Sequence, residues 1–141
     1  MDAQPRTPFN HELILLVDDS IALLRKLAFL LEIAGFSVLT APSGEKALDI
    51  LRLQTPDLMI SDVEMPGMNG YDLLQTICTS RQWRHIPVIL TSDKYGLDDL
   101  LHALDSGAAD YLPKPFDIYD VLDSVKRTLD EQPIGGHRLA G

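Results

Sequence analysis

Carboxylates follow two apolar runs of the sequence closely. Asp18 and Asp19 come directly after residues 13–17, and Asp62 comes two residues after the run at 58–60. Carboxylates within a few ångströms of one another raise each other's pKa unless a cation neutralises them. A few hard oxygen ligands without His or Cys suit Mg²⁺, which can share its remaining sites with a phosphate. One carboxylate could then attack a phosphoryl group and form an acyl phosphate.

Two further apolar runs are followed by hydroxyl groups and by an ammonium group. Thr91 and Ser92 follow the run at residues 88–90, and Lys114 lies between two prolines after the run at residues 111–112. In phosphoryl transfer, charge spreads over the oxygens of the transferred group, and Mg²⁺ together with a lysine supplies the positive field that stabilises it. All these polar residues could therefore serve one reaction.

Each of these residues also has an ordinary structural explanation. Asp19 or Ser92 could cap a following helix. Asp62 could form a turn, and Lys114 could simply be solvated. These explanations are independent of one another, yet together they would have to place their residues at the same end of four strands. That coincidence favours a functional site.

Short apolar runs alternate with longer segments of helical period. The runs are residues 13–17, 38–40, 58–60, 88–90 and 111–112. The clearest helical segments repeat leucine at spacings of three and four, at Leu23, Leu27, Leu30 and Leu31 and at Leu97, Leu100, Leu101 and Leu104. Strands that are solid apolar runs belong to parallel sheets with helices on both faces, which predicts a doubly wound (βα)5 sandwich. In the strand order 2-1-3-4-5, strands one and three meet at the switch point where ligands bind.

Composition limits the classes of function. At 141 residues the chain has the size of one domain, and 21 acidic against 12 basic residues give a formal net charge of −9. That charge repels a phosphate backbone, so direct nucleic-acid binding is disfavoured. A single cysteine, Cys78, excludes an internal disulfide and is expected to pack in the core. No window approaches the ~18 apolar residues of a membrane span, and we expect a cytoplasmic protein.

Four motifs in order make the chain resemble the receiver domain of two-component response regulators. They are ILLVDDS at strand one, ISDVEMPGMNGYDLL at strand three, PVILTS at strand four and GAADYLPKPF at strand five. The resemblance covers residues 12–131 and implies a flavodoxin-like fold. Residues 1–11 are expected to be a loose N-terminal segment, and residues 132–141 a C-terminal tail or linker. We expect either a single-domain regulator or a receiver from a longer chain.

The resemblance implies a role for each acidic residue. Asp62 is implied to be the phospho-acceptor. Asp19, Asp62 and the backbone carbonyl of Glu64 are implied to bind Mg²⁺ directly, while Asp18 acts through water. Lys114 is implied to pair with the phosphoryl group and to precede a cis proline bond.

The resemblance also implies a switch and residues that tune its lifetime. We choose Ser92 as the switch hydroxyl, with Thr91 as the alternative, because Ser92 lies 22 residues before the lysine, as is typical of receivers. Tyr111 matches the aromatic residue that moves inward on activation. Glu64 and Lys94 occupy positions that tune the lifetime of the aspartyl phosphate.

One residue departs from the receiver pattern. If Ser92 is the switch hydroxyl, Asp93 stands where receivers usually have Ala or Gly. A carboxylate at that position could repel an incoming phosphodonor or narrow its access to the acceptor.

The resemblance implies partners as well. A histidine kinase or phosphotransfer protein would supply the phosphoryl group, and a downstream effector or output domain would read the result. The surface formed by helix 4, strand 5 and helix 5 would bind that partner or a second copy in a homodimer. Such a domain is not an enzyme in the usual sense, because it catalyses only its own phosphorylation and dephosphorylation.

Two other classes of protein remain as alternatives. A phosphatase of the haloacid dehalogenase type also uses an aspartate nucleophile, but its usual motif separates two aspartates by one residue, whereas Asp18 and Asp19 are adjacent. A receiver-like module that binds partners without phosphorylation would keep the fold, since a fold alone does not establish activity. Such modules have normally lost some of the acid, hydroxyl or lysine positions, all of which are present here.

Overall fold

Between residues 12 and 131, strands and helices alternate, beginning with a strand. The computed structural model describes residues 12–131, so the expected loose segments at 1–11 and 132–141 lie outside the described residues. The strands are β1 Leu13–Val17, β2 Ser37–Ala41, β3 Leu58–Asp62, β4 Val88–Ser92 and β5 Asp110–Pro113. The helices are α1 Ile21–Ile33, α2 Gly44–Leu51, α3 Gly70–Cys78, α4 Leu97–Asp105 and α5 Ile118–Asp130. The predicted (βα)5 pattern is confirmed.

The five strands form one parallel sheet in the order β2-β1-β3-β4-β5, which confirms the predicted topology. Strands β3 and β4 are buried along their whole length, whereas β2 and β5 form the edges and expose some residues. Because parallel strands point the same way, the residues that follow β1, β3, β4 and β5 gather along one edge of the sheet.

Helices cover both faces of the sheet, and β1 supplies side chains to both cores. Leu15 and Val17 pack in the core cluster that includes residues of α2, α3 and α4. Ile14 and Leu16 pack in the opposite cluster, with residues of α1 and α5. This alternation follows from the two-residue period of a strand. Each central strand must therefore be apolar on both faces, which explains the solid apolar runs.

The expectation that Cys78 packs in the core is wrong. Its side chain is exposed at the end of α3. Leu73, Leu74 and Ile77 fill the buried face of this helix. Cys78 is the last residue of α3, and its Sγ would lie 3.0 Å from a Cβ placed on Gly107.

Side-chain caps and glycines define the ends of the helices. The N-cap residues whose side chains accept a backbone hydrogen bond are Ser20, Ser43, Asn69 and Asp117. Gly35 and Gly107, just beyond α1 and α4, both have φ of 108°, a conformation that favours glycine. Between residues 12 and 131, the structure has no helix of the length and apolarity that a membrane crossing requires.

Helix α4 leaves most of its leucines in solvent. Leu97, Leu101 and Leu104 are 69%, 48% and 43% exposed, and the residue that α4 buries is Ala103. The leucine spacing therefore predicted the helix correctly without indicating a buried face. We call Leu97, Leu101 and Leu104 the α4 face. An exposed apolar face of this kind is typical of interaction surfaces.

Candidate functional site

The carboxyl ends of β1 and β3 bring three carboxylates together. Val17 on β1 and Ser61 on β3 are paired in register across these neighbouring strands. Asp18 and Asp62, the residues that come next, therefore start from adjacent positions of the two strands. One carboxylate oxygen from each of Asp18, Asp19 and Asp62 lies within 4.8 Å of the others. Asp18 and Asp62 are buried, whereas Asp19 is exposed. The cluster is therefore enclosed on the sheet side and open on the side of Asp19.

Lys114 lies between the two buried carboxylates. Its Nζ is 3.1 Å from Asp18 Oδ2 and 3.2 Å from Asp62 Oδ1. Asp18 is also held on its other side, because its Oδ1 accepts the backbone N–H of Ser20 at 2.8 Å. The Lys114–Pro115 peptide bond is cis, as the resemblance implies. Lys114, the residue after β5, thus places one cation between the acid that follows β1 and the acid that ends β3.

The environment of Asp62 disfavours its charged form. Burial raises the pKa of Asp62 to about 6, the nearby charge of Asp18 adds to the rise, and the Lys114 ammonium opposes it. Burial by itself would lower the pKa of Lys114, but the charges of Asp18 and Asp62 raise it above its ordinary value. One lysine therefore only partly neutralises the carboxylates.

The donor set fits a hard divalent cation. Its ligands are carboxylate oxygens, which Mg²⁺ prefers over nitrogen or sulfur. Asp62 Oδ1 is buried and accepts no hydrogen bond, although it is within ion-pair distance of Lys114. Lys114 supplies one positive charge beside this oxygen, whereas three clustered carboxylates leave negative charge that a further cation would neutralise. Asp18, Asp19 and Asp62 are therefore suitable Mg²⁺ ligands.

The loop after β3 holds Asp62 through close backbone packing. The backbone N–H of Gly70 donates to the carbonyl of Val63, and a Cβ on Gly70 would lie 2.4 Å from the carbonyl oxygen of Asp62. Gly67 in the same loop has φ of 75°. The sequence predicted that this turn would expose Asp62, but the residue is only 3% exposed. The loop instead folds back against the residue.

The two adjacent hydroxyl residues at the end of β4 lie in different surroundings. Thr91 lines a small cavity together with Asp18 and Phe116. Ser92 lines a separate cavity of about 420 Å³ together with Glu64 and Tyr111. Both residues are buried. The two-residue period of the strand separates them, so only one of the two hydroxyls belongs to the side of the sheet that carries Tyr111.

The Glu64 side chain makes contacts that the sequence did not predict. Its Oε2 accepts the hydroxyl of Ser92 at 2.6 Å, and its Oε1 accepts the backbone N–H of Asp93 at 3.1 Å. The side chain of Asp93 is exposed. The resemblance implied that the backbone carbonyl of Glu64 binds Mg²⁺ and that Glu64 tunes the lifetime of the aspartyl phosphate. No local signal shows that a residue 28 positions before Ser92 binds its hydroxyl.

Tyr111 connects β5 to the loop after β4. The residue is 6% exposed, and its hydroxyl donates to the backbone carbonyl of Lys94. Burial raises the pKa of the Tyr111 hydroxyl. The backbone N–H of Lys94 in turn donates to Ser92 Oγ at 3.0 Å. The ring thus already lies inward here, and the movement that the resemblance implies for it stays a prediction.

The fold and the site define an α/β domain of the doubly wound class, with its acidic crevice at the switch point between β1 and β3. The sequence pattern of the response regulator receiver domain matches residues 14–126. The chain therefore belongs to the response regulator receiver domain family, whose members are signalling domains. This confirms the resemblance found in the sequence.

Named relatives and a solved structure agree with this assignment. The DNA-binding transcriptional regulator NtrC of Klebsiella pneumoniae is 41% identical over 116 residues, covering 81% of this chain and 24% of NtrC. The transcriptional regulatory protein CpxR of Escherichia coli (strain K12) is 41% identical over 116 residues, covering 82% of this chain and 48% of CpxR. The chemotaxis protein CheY4 of Vibrio cholerae matches in structure with a TM-score of 0.79 at 29% identity, covering 84% of this chain and 98% of that one.

The two regulators are much longer than the matching region. This chain spans 24% of NtrC and 48% of CpxR. The similarity therefore concerns part of these proteins, and the DNA binding named for NtrC and the transcriptional regulation named for both belong to the whole relatives.

Proposed function

We propose that this chain is a phosphorylation-controlled switch in which Asp62 accepts a phosphoryl group. The observation that carries the proposal is the convergence of three carboxylates within 4.8 Å, with the Lys114 ammonium 3.1 and 3.2 Å from two of them. A nucleophile, a set of cation ligands and a counter-charge therefore share one crevice. The donor is the phosphohistidine of a histidine kinase or of a phosphotransfer protein.

The chemical step forms one bond and breaks one. A carboxylate oxygen of Asp62 bonds to phosphorus while the phosphorus–nitrogen bond of the donor breaks, which leaves an acyl phosphate on Asp62 and returns the electron pair to the histidine nitrogen. Lys114, already beside Asp62, pairs with the oxygens of the transferred group. Hydrolysis of the acyl phosphate later restores the carboxylate.

Bound Mg²⁺ would supply positive charge for the oxygens of the transferred group. Asp19, Asp62 and the backbone carbonyl of Glu64 would hold the cation directly, with Asp18 acting through water. The pKa of Asp62, raised to about 6, indicates that the protein alone leaves this carboxylate short of positive charge. Phosphorylation is therefore expected to depend on Mg²⁺.

The oxygens of the transferred group would also attract the hydroxyl of Ser92, the switch hydroxyl that the resemblance implies. The signal would then leave the crevice through the end of β4. Ser92 and Lys94 connect the crevice side of the sheet to Tyr111, and β5 lies beside α4 and α5 in the chain order. The α4 face is exposed, and Tyr119 on α5 is 75% exposed. We propose that this surface binds an effector or output domain, or a second copy of the chain.

The proposal is tested by intact-mass measurement after incubation with acetyl phosphate and Mg²⁺. Wild type should gain one phosphoryl group, whereas Asp62→Asn and wild type in EDTA should gain none. Asp49→Asn is a matched control, because Asp49 is an exposed acid on α2 that pairs with Arg52, the residue after the helix. A wild-type chain that gains no phosphoryl group, or a phosphoryl group that persists in Asp62→Asn, would refute the proposal.

A further inference from the structure

The Glu64 side chain joins the loop after β3 to the end of β4. Ser92 Oγ donates to Oε2 at 2.6 Å, and the backbone N–H of Asp93 donates to Oε1 at 3.1 Å. Both oxygens of one carboxylate are therefore engaged by consecutive residues. Hydrogen bonds to an ionised acceptor are roughly twice as strong as bonds between neutral groups. The Glu64 carboxylate thus holds the end of β4 through two hydrogen bonds.

Ser92 has only one proton to donate. A serine hydroxyl is a single donor with two acceptor lone pairs. Its proton goes to Glu64, and one lone pair accepts the backbone N–H of Lys94 at 3.0 Å. While these contacts last, the Ser92 hydroxyl has no proton for a phosphoryl oxygen on Asp62.

We propose that Glu64 is a positioning residue that competes with the phosphoryl group for Ser92. In this arrangement the Glu64 carboxylate accepts hydrogen bonds from the Ser92 hydroxyl and the Asp93 amide until the phosphoryl group on Asp62, a stronger anion, binds them instead. The inference rests on the proposed function and deepens it. It gives the Glu64 side chain a role separate from that of its backbone carbonyl.

The surroundings leave room for the exchange. Glu64 and Ser92 both line the 420 Å³ cavity, and the Glu64 side chain itself is exposed. The carboxylate can therefore swing into solvent without leaving a buried charge behind. Release of Ser92 would also loosen the segment whose Lys94 carbonyl holds the Tyr111 hydroxyl. Competition for the Ser92 hydroxyl would thus also affect the hydrogen bond that the Tyr111 hydroxyl donates.

The first test measures the affinity for beryllium fluoride, a phosphoryl analogue, in the presence of Mg²⁺. Backbone amide NMR signals follow its titration into wild type, Glu64→Ala, Ser92→Ala and the double variant. Glu64→Ala should bind about three- to tenfold more tightly, because a charge-assisted hydrogen bond no longer has to break. In the Ser92→Ala background the effect of Glu64→Ala should shrink to about twofold or less.

The double variant separates the hydrogen bond from simple charge. Removing any acid near the crevice favours an incoming anion, and that contribution would persist without Ser92. Glu45→Gln is a matched control, because Glu45 is exposed and its carboxylate lies beside Gly67 of the same loop. A gain in Glu64→Ala that Glu45→Gln reproduces, or that is unchanged in Ser92→Ala, would overturn the inference.

The second test is amide hydrogen exchange in EDTA, which requires neither Mg²⁺ nor phosphorylation. Glu64→Ala should speed exchange at the Asp93 amide about three- to tenfold and leave β1 unchanged. Equal exchange at Asp93 in both proteins would overturn the inference. If Asp62 accepts no phosphoryl group, the proposed function is refuted. If Asp62 is phosphorylated normally but Glu64→Ala leaves the affinity for beryllium fluoride unchanged, only the role proposed for Glu64 is refuted.

Discussion

Replacing Asp62 by Asn should stabilise the metal-free protein at neutral pH. The pKa of Asp62 is raised to about 6, mainly because the carboxylate is buried. In the unfolded chain an aspartate titrates at about 3.9. Between these two values the folded protein binds more protons than the unfolded one, so its stability falls as the pH rises through this range. Above pH 6 the full cost of the buried charge is present.

The size of the effect follows from that shift. A rise of about two pKa units corresponds to roughly 3 kcal/mol, since each unit is about 1.4 kcal/mol. Asn resembles the neutral acid in shape, so Asp62→Asn should gain about 2–3 kcal/mol at pH 7.5. At pH 4.5, where the folded-state carboxyl is mostly protonated already, the gain should fall to about 1 kcal/mol.

The assay is urea denaturation in EDTA at pH 7.5 and pH 4.5. Asp49→Asn is the control, since it removes an exposed acid from a surface ion pair and should change stability by less than about 1 kcal/mol. Added Mg²⁺ should stabilise wild type by mass action and should have little effect on Asp62→Asn. An Asp62→Asn variant that is no more stable than wild type at pH 7.5, or whose gain does not shrink at pH 4.5, would refute the reasoning.

Three further predictions concern other parts of the molecule. Lys114→Met should raise the affinity for Mg²⁺ about three- to tenfold, measured by calorimetry, because the lysine ammonium occupies the space between Asp18 and Asp62. The same change should slow phosphoryl uptake. Weaker Mg²⁺ binding would contradict this. Gly70→Ala should cost about 1–3 kcal/mol or more in urea titrations, because its Cβ would meet the backbone of Asp62, and a neutral result would contradict the packing described here. Leu101→Ser should change folding stability by less than about 1 kcal/mol, since Leu101 is half exposed, yet should reduce self-association or effector binding; a loss of several kcal/mol would show a buried face instead.

Much of the fold could be predicted from periodicity. The solid apolar runs identified the strands of a parallel sheet because each central strand faces a helical layer on both sides. β3 and β4 are indeed buried at every residue. The strand boundaries were less predictable, since polar residues such as Asp62 and Ser92 continue a strand after its apolar run has ended.

Burial of individual helix residues was harder to predict. Leucine spacing gave α4 correctly, but three of its leucines are exposed, and the smaller Ala103 is the residue that packs inward. Cys78 looked like a core residue and lies in solvent at the end of α3. Periodicity shows that one face of a helix is apolar. It does not show whether another element covers that face.

By itself the sequence determined the alternation of strands and helices and the set of polar residues that the sheet edge gathers. These follow from local patterns and from the rule that parallel strands end at a common edge. The family, and with it the sheet order, came from the resemblance of four motifs to receiver domains. The tertiary structure alone decided how the polar side chains pair. It placed Lys114 between two acids, buried Asp62, and gave the Ser92 proton to Glu64. Such contacts join residues far apart in the chain and depend on distances of a few ångströms, which no sequence period records.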